Sequence, residues 1–141
     1  MKVLILNGPN LNMLGVRDEK MYGQKTLDEI NRNLAAEAKK LGLTPEFFQS
    51  NIEGELVERI QKFNGGAIVV NAGAYSHYSI AIADALRDSK TIKIEVHLSN
   101  VFAREEFRRV SVLSEVCTGV IGGFGEQSYL LALQYLASVK S

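Results

Sequence analysis

The two histidines of the chain each follow an apolar segment that has the character of a buried strand. His77 comes shortly after Ala67-Ile-Val-Val-Asn71, and His97 closes Ile92-Lys-Ile-Glu-Val-His97. In an open α/β sheet, ligands bind beyond the carboxyl ends of the strands, so side chains there are in position for chemistry. Imidazole exchanges protons close to neutral pH. Either histidine alone would be read as an ordinary polar residue, but two in this position favour an active site.

Glu95 and His97 are the strongest functional signal in the sequence. They stand two residues apart on a predicted strand, so their side chains emerge on the same face. A carboxylate on one imidazole nitrogen fixes the tautomer and raises the basicity of the other, as a general acid for an oxygen leaving group requires. As a plain core residue Glu95 would be anomalous, because unpaired buried acids are rare. Leu98, Ser99 and Asn100 follow, where backbone N–H groups and a hydroxyl can bind a carboxylate.

The connection after the first predicted strand is longer than the ~2 to 6 residues usual for such loops, which predicts a lid at about residues 8–25. Its candidate pivots are Gly8, Gly15 and Gly23. Arg17 and Tyr22 lie close together on it, and a guanidinium held against the phenol would favour the phenolate that a general base needs. The alternative is a tyrosine that packs its ring under the loop while the arginine stays in solvent.

Three arginines follow the His97 strand within Phe102-Ala-Arg-Glu-Glu-Phe-Arg-Arg109. We predict a short helical turn here, in which Arg104 and Arg108 share a face at i, i+4. Arg109 is explained more simply by surface pairing with a neighbouring glutamate.

Cofactor signals are weak. His77, Asp84, Glu95 and His97 could ligate a metal in principle, but no His-x-x-x-His or Cys-x-x-Cys spacing supports such a site, and Asp84 is otherwise a surface acid. Gly122-Gly-Phe-Gly125 resembles a phosphate-binding turn, yet it lacks a Gly-Lys-Ser/Thr ending and a full dinucleotide fingerprint. We therefore predict neither a metal nor an organic cofactor.

Alternating strands and helices must position these residues. The predicted strands are Val3 to Asn7, Pro45 to Ser50, Ala67 to Asn71, Ile92 to His97 and Gly119 to Gly122. The predicted helices begin with a capping box at Thr26 and stop at Gly42, then span Glu53 to Phe63, Ser79 to Arg87 and Gln127 to Val139. Strands that are each followed by a helical segment predict an α/β fold: a flavodoxin-like, doubly wound parallel sheet of order 2-1-3-4-5. We expect residues 1–141 to form a single catalytic domain.

Composition narrows the class further. The 141 residues carry 16 basic and 16 acidic side chains, so overall charge recruits neither nucleic acid nor an anionic membrane. No segment approaches the ~20 apolar residues of a membrane span, and the apolar N-terminal run is too short for a signal-peptide core. The single cysteine, Cys117, at the predicted start of the last strand, suits a small core residue and a reducing compartment. The sequence thus predicts a cytoplasmic protein.

The chain resembles the type II 3-dehydroquinate dehydratases nearly from end to end. The resemblance rests on blocks that recur in order and at the family's spacing: Leu6-Asn-Gly-Pro-Asn-Leu-Asn12, Leu14-Gly-Val-Arg17 through Tyr22-Gly, Gln49-Ser-Asn51 with Glu53-Gly-Glu55, Gly73-Ala-Tyr-Ser-His77, Glu95-Val-His-Leu-Ser-Asn100 and Ala103-Arg-Glu-Glu-Phe-Arg108. Two positions depart from the family pattern: Ala72 stands where proline is common, and Ile52 where histidine is common. Neither is a catalytic position, and the departures concern loop rigidity and helix entry.

The resemblance implies a hydro-lyase that reversibly removes water from 3-dehydroquinate to give 3-dehydroshikimate, without a cofactor, in aromatic biosynthesis or quinate breakdown. Tyr22 would be the base that removes the proton alpha to the ketone, and Arg17 would hold it as phenolate. Asn10 would position the water that stabilises the enolate, and His97, oriented by Glu95, would protonate the departing hydroxyl.

The resemblance also implies substrate-binding residues. The carboxylate would be held by Asn71, by the Leu98 and Ser99 backbone and by the Ser99 hydroxyl. The ring hydroxyls would be held by His77, Arg108 and, from a neighbouring subunit, Asp84, while Arg104 would close with the lid.

For assembly, the resemblance implies a homododecamer built as a tetramer of trimers. The predicted third helix is compatible with this, because it is apolar on more than one face. The alternative is a helix buried only against its own sheet. For function, the alternative is a flavodoxin-like module that binds a nucleotide or flavin without catalysis.

Overall fold

The computed structural model describes residues 1–16 and 24–140. Its five strands are β1 (Lys2–Asn7), β2 (Thr44–Gln49), β3 (Ala67–Asn71), β4 (Ile92–His97) and β5 (Gly119–Gly122). Its four α-helices within these residues are α1 (Leu27–Lys40), α2 (Glu53–Lys62), α3 (Ile80–Asp88) and α4 (Gln127–Val139). All neighbouring strands pair in parallel, in the order β2-β1-β3-β4-β5. The predicted flavodoxin-like topology is confirmed.

Helices cover both faces of the sheet, which explains why the central strands are apolar on both sides. On one face, alternate residues of β1 and β3 such as Ile5 and Val69 pack with α1 and α4. On the other face, Leu4, Leu6 and Ile68 pack with α2 and α3. No helix in the described part of the chain is long and apolar enough to cross a bilayer.

The helix starts follow the local sequence. The Thr26 hydroxyl accepts a hydrogen bond from the backbone N–H of Glu29 at 3.2 Å, which confirms Thr26 as the N-cap of α1, and it donates to the Glu29 carboxylate at 3.2 Å. The Ser79 hydroxyl accepts from the N–H of Ile82 at 3.0 Å and caps α3 in the same way. Each cap satisfies one backbone donor that the first turn leaves open.

The connection from β4 to β5 differs from the prediction. It carries three short 3₁₀ turns, Val101–Ala103, Glu106–Arg109 and Ser114–Val116, and no α-helix between residues 98 and 118, all of which the structure describes. The prediction that Arg104 and Arg108 share one helical face is therefore wrong, because Arg104 lies between two turns in an extended conformation. A buried apolar stripe is what stabilises a surface helix. Residues 99–118 have none, and Leu113 is their one fully enclosed side chain.

Candidate active site

A cleft of about 120 Å³ opens at the carboxyl ends of β1, β3 and β4. These strands are neighbours at the point where the sheet order reverses, which is where open α/β sheets bind ligands. Eight of the predicted site residues line the cleft: Asn10, Asn71, His77, His97, Leu98, Ser99, Arg104 and Arg108. The topology therefore brings together residues that are far apart in the sequence.

Glu95 and His97 form a buried pair at the end of β4. The imidazole Nε2 of His97 is hydrogen-bonded to one carboxylate oxygen of Glu95, and the Ser114 hydroxyl donates to the other oxygen at 2.7 Å. Glu95 is fully buried, whereas His97, two residues further along the strand, lines the cleft. With Nε2 directed to the carboxylate, Nδ1 is the ring nitrogen left to exchange a proton with a ligand.

The surroundings of Glu95 keep it ionised. Burial alone would raise the pKa of this carboxyl, but hydrogen bonds from His97 and Ser114 and the attraction of the imidazolium outweigh it and lower the pKa below its ordinary value of 4.5. A carboxylate that stays charged near neutral pH can stabilise a cationic imidazole beside it. Such an arrangement can orient an imidazole for proton transfer.

Ser114 was not predicted from the sequence. It lies 19 residues after Glu95, in the irregular β4–β5 connection, and nothing in its local sequence distinguishes it. Its role follows from the fold, because Leu113 is anchored in the core beside it.

His77, Arg104 and Arg108 are further polar side chains that line the cleft. The Nδ1 of His77 lies 2.7 Å from the backbone carbonyl oxygen of Val110, so this nitrogen is the donor and Nε2 is an acceptor when the ring is neutral. Arg104 donates through Nη1 to the Ser99 hydroxyl at 3.4 Å. Arg108 contacts Glu105 at 2.7 Å.

The segment that follows β1 is held in place by residues at the carboxyl end of β2. Asn10 has a left-handed conformation with φ of 70°, and its N–H donates to the Asn51 side-chain oxygen at 3.0 Å. The Gln49 amide donates to the Gly8 carbonyl at 3.1 Å. Gln49 and Asn51 belong to a block that carries the family resemblance, but no role was predicted for them. In the structure they fix the backbone that presents Asn10 to the cleft.

Gly8 allows β1 and β3 to end side by side. Its N–H donates to the Asn71 carbonyl at 2.8 Å, and a Cβ at this position would collide with the backbone of Ala72. Ala72 is itself buried, which fits a small apolar side chain where the family commonly has proline. Ile52, the other departure, is exposed just before α2, and its N–H is bound by the Ser50 hydroxyl at 2.9 Å.

Four predicted site residues are not among those that line the described cleft, and one of them is the buried Glu95. Arg17 and Tyr22 lie outside the described residues. Asp84 lies on α3, with an exposed side chain that pairs with Arg87 at 2.8 Å. It does not line the cleft of its own chain.

The glycine turn after β5 has a structural function. The N–H groups of Gly123 and Gly125 donate to the carbonyl oxygens of His97 and Leu98, at 3.3 and 2.9 Å. These amides fold the β4 exit into shape and are not directed at a phosphate. Among the described residues there is also no group of three or more His, Cys, Asp or Glu side chains arranged to hold a metal ion.

Cys117 is half-buried and packs against the apolar cluster between the sheet and α3. It lies just before β5 and not, as expected from the sequence, at the start of the strand. Burial raises the pKa of its thiol to about 12, and the negative charge of Glu95 adds to the shift. A thiol in this state is not a nucleophile at neutral pH.

The fold and the cleft define an α/β enzyme with an acid–base site at the switch point of a flavodoxin-like sheet. The family model described as dehydroquinase class II matches residues 1–137, and the chain belongs to that family. The chain is 51% identical to the 3-dehydroquinate dehydratase of Thermotoga neapolitana, with 100% of this chain and 97% of the relative covered. The enzyme of the same name from Nitratiruptor sp. is 53% identical, with 94% and 86% covered.

Solved structures agree with this assignment. The crystal structure of type II dehydroquinase from Butyrivibrio crossotus superposes with a TM-score of 0.94 at 46% identity, covering 96% of this chain and 97% of that one. A 3-dehydroquinate dehydratase-like protein from Bifidobacterium longum is more distant, with a TM-score of 0.72 and 34% identity over 100% and 98% of the two chains.

Proposed function

We propose that the chain catalyses the reversible dehydration of 3-dehydroquinate to 3-dehydroshikimate through an enolate, in aromatic amino acid biosynthesis or quinate breakdown. The observation that carries the proposal is the buried Glu95–His97 pair at the edge of a cleft that also contains Arg104 and Arg108. Such a cleft offers one oriented proton donor and two cations for an anionic substrate. Membership of the dehydroquinase class II family supports the substrate.

His97 is the proposed general acid. It transfers a proton from Nδ1 to the hydroxyl that leaves the substrate, while Glu95 holds Nε2 and stabilises the charged ring beforehand. Glu95 acts through His97 and is therefore a positioning residue. Ser114 supports the same carboxylate from the other side.

Tyr22 and Arg17 are the proposed base and its activator. A phenol has an ordinary pKa of about 10, so it acts as a base near neutral pH only if a cation stabilises the phenolate. Asn10 would hold the water that donates a hydrogen bond to the enolate oxygen, which lowers the barrier by stabilising developing charge. We propose that the part of the predicted lid that carries Arg17 and Tyr22 brings these groups to Asn10, and that Arg104 closes with it. The start of the predicted segment stays in place, because Leu11 and Leu14 are buried in the core.

The remaining lining residues bind the substrate in this proposal. Asn71, the Ser99 hydroxyl and the backbone of Leu98 and Ser99 hold the carboxylate. Arg108 and His77 hold ring hydroxyls, and the Val110 carbonyl keeps Nδ1 of His77 as a donor, which leaves Nε2 to accept from a hydroxyl.

We further propose a cytoplasmic homododecamer in which Asp84 reaches the cleft of a neighbouring subunit. Two features of α3 support the shared site: Asp84 is exposed and does not line the cleft of its own chain, and Ile80, four residues earlier on the helix, is also largely exposed. The cytoplasmic location is supported by the single cysteine. Residues 1–141 act as a single catalytic domain, and the reaction uses no metal or organic cofactor.

An ultraviolet assay tests the proposed function. The product is a conjugated enone that absorbs, whereas the substrate hardly absorbs, so purified protein should raise the absorbance of a 3-dehydroquinate solution. Treatment of the same mixture with borohydride should leave the protein mass unchanged, because the enolate route forms no imine with a lysine. An absence of turnover would refute the proposed reaction. A stable mass increase equal to the reduced adduct would refute the enolate route.

A further inference from the structure

A row of three buried side chains connects Asn71, which lines the cleft, to Tyr129 and Asn7, which have no part in the reaction described so far. Asn7 on β1 and Asn71 on β3 are register partners, and both are almost fully buried. Tyr129 on α4 is completely buried and lies between them. Its hydroxyl donates to the Asn7 side-chain oxygen at 2.5 Å, and the Asn71 amide nitrogen donates to the Tyr129 oxygen at 2.9 Å.

The direction of these hydrogen bonds follows from two groups: the backbone N–H of Gly73, which can only donate to the Asn71 oxygen, and the Tyr129 hydroxyl, which donates to Asn7. A phenol has a single hydrogen, and Tyr129 gives it to Asn7, so toward Asn71 it acts only as an acceptor. Asn71 must therefore turn its NH₂ group to Tyr129. Its oxygen in turn accepts from the backbone N–H of Gly73 at 3.3 Å. If the amide were reversed, the Asn71 oxygen would face the Tyr129 oxygen, and the Asn71 NH₂ group would face the N–H of Gly73.

This orientation matters because Asn71 also lines the cleft. One hydrogen of its NH₂ group is used by Tyr129, and the second remains for a ligand. A carboxylate accepts hydrogen bonds and is repelled by a carbonyl oxygen. An Asn71 side chain held in the observed orientation always offers a carboxylate its N–H group. If the amide could rotate, it would offer its oxygen for part of the time and bind the carboxylate more weakly.

We propose that Tyr129 is a positioning residue that fixes the amide orientation of Asn71, so that this side chain offers the substrate carboxylate an N–H group. The inference rests on the proposed function, in which Asn71 binds that carboxylate. Burial raises the pKa of the Tyr129 phenol above its ordinary value, which keeps it protonated and preserves the direction of the row. Tyr129 thus differs in task from Tyr22, the proposed base.

Tyr129→Phe tests the inference, with Ser128→Ala as the matched control. Ser128 is also fully buried on α4, but its hydroxyl accepts from the N–H of Phe124 at 3.1 Å, away from Asn71. Both variants should melt at lower temperature, because each leaves a buried backbone or side-chain group unpaired. Only Tyr129→Phe should raise the KM for 3-dehydroquinate, by about tenfold, equivalent to about 1.4 kcal/mol of lost binding, with a much smaller change in kcat.

A double-mutant cycle separates orientation from general weakening of the fold. Asn71→Ala should raise KM by itself, and adding Tyr129→Phe to it should raise KM no further, because the amide to be oriented is gone. Asn7→Ala provides a second route: it keeps the Tyr129 hydroxyl but releases its hydrogen, so Asn71 can reverse and KM should rise as in Tyr129→Phe.

The outcomes are distinguishable. If wild-type protein turns over 3-dehydroquinate but folded Tyr129→Phe keeps the wild-type KM, Tyr129 does not position Asn71 and the proposed function stands. Multiplied KM effects in the double variant would refute the inference in the same way. Should Tyr129→Phe fail to fold, Asn7→Ala decides, and its unchanged KM would overturn the inference. A wild-type protein without turnover would refute the proposed function and the inference with it.

Discussion

Glu95→Gln is the most informative single substitution, because it removes a buried charge and keeps the shape of the side chain. In the wild type the carboxylate accepts from His97 on one oxygen and from Ser114 on the other. Glutamine keeps one oxygen acceptor and replaces the second oxygen with a donor. Both partners therefore lose a charged acceptor, and the Ser114 hydroxyl keeps a hydrogen bond only by turning to accept from the new amide.

The expected cost follows from that loss. A hydrogen bond to a charged group contributes about 1.5–3 kcal/mol, and the smaller desolvation of an amide offsets part of this. We expect the free energy of unfolding to fall by about 1–3 kcal/mol at pH 7. If His97 is the general acid, the same loss in the transition state lowers kcat about ten- to a hundredfold.

The stability difference should depend on pH in a defined direction. The pKa of Glu95 is lower in the folded chain than its ordinary value of 4.5, because its hydrogen bonds outweigh the effect of burial. A group of this kind contributes stability that is fully present above its unfolded pKa and is lost as the pH falls through the lower folded value. Glutamine does not titrate. The part of the difference between wild type and Glu95→Gln that comes from the titration of Glu95 should thus be complete above about pH 5 and shrink below pH 4.5.

Urea unfolding at a series of pH values, at one protein concentration, measures this difference. Glu46→Gln is the control: Glu46 is also a strand carboxylate, but it is half-exposed and pairs with Arg59 at 3.7 Å. Exposed pairs of that kind contribute about 0–1 kcal/mol. A Glu95→Gln variant with wild-type stability and turnover at pH 7, or a stability difference that does not change below pH 4.5, would refute the assigned charge state.

Further variants test the other proposed groups. Tyr22→Phe should abolish turnover without unfolding the protein, since only the phenolic oxygen is lost, and steady-state turnover near the wild-type rate would exclude Tyr22 as the base. His97→Ala should slow elimination more than exchange of the proton alpha to the ketone, measured by NMR in deuterated solvent; equal losses would assign His97 to substrate positioning. Ser114→Ala should reduce kcat less than Glu95→Gln, because the carboxylate keeps its charge and its contact with His97, and a larger loss would contradict this order. Asp84→Ala should weaken substrate binding without lowering the melting temperature, and light scattering should give a mass near twelve times 15.6 kDa; a fully active monomer would contradict the shared site.

The fold was largely predictable because its signals are local. Apolar β-branched strands, the capping residue Thr26 and the glycine at position 42 each act within a few residues, and the sheet order follows from chain length and strand–helix alternation. The β4–β5 connection was mispredicted for the same reason. Its charge spacing suits a helix, but its one deeply buried anchor, Leu113, holds it as a series of 3₁₀ turns.

The candidate site was predictable where its residues lie on one strand or carry a family motif. Glu95 and His97 are two apart, so the period of a strand alone predicts their contact. Ser114 and Tyr129 could not be found in this way, because they approach Glu95 and Asn71 only through the packing of a loop and a helix on the sheet. Neither contact leaves a trace in sequence spacing.

The buried position of Cys117 makes the native thiol a reporter of its surroundings. Alkylating reagents attack the thiolate, and a thiol with a pKa of about 12 contains almost none at neutral pH. A cysteine introduced on the surface would therefore be labelled well before Cys117, without first removing the native residue. Since part of the raised pKa comes from the charge of Glu95, a change in the slow labelling rate of Cys117 would report gain or loss of that charge while the enzyme is at work.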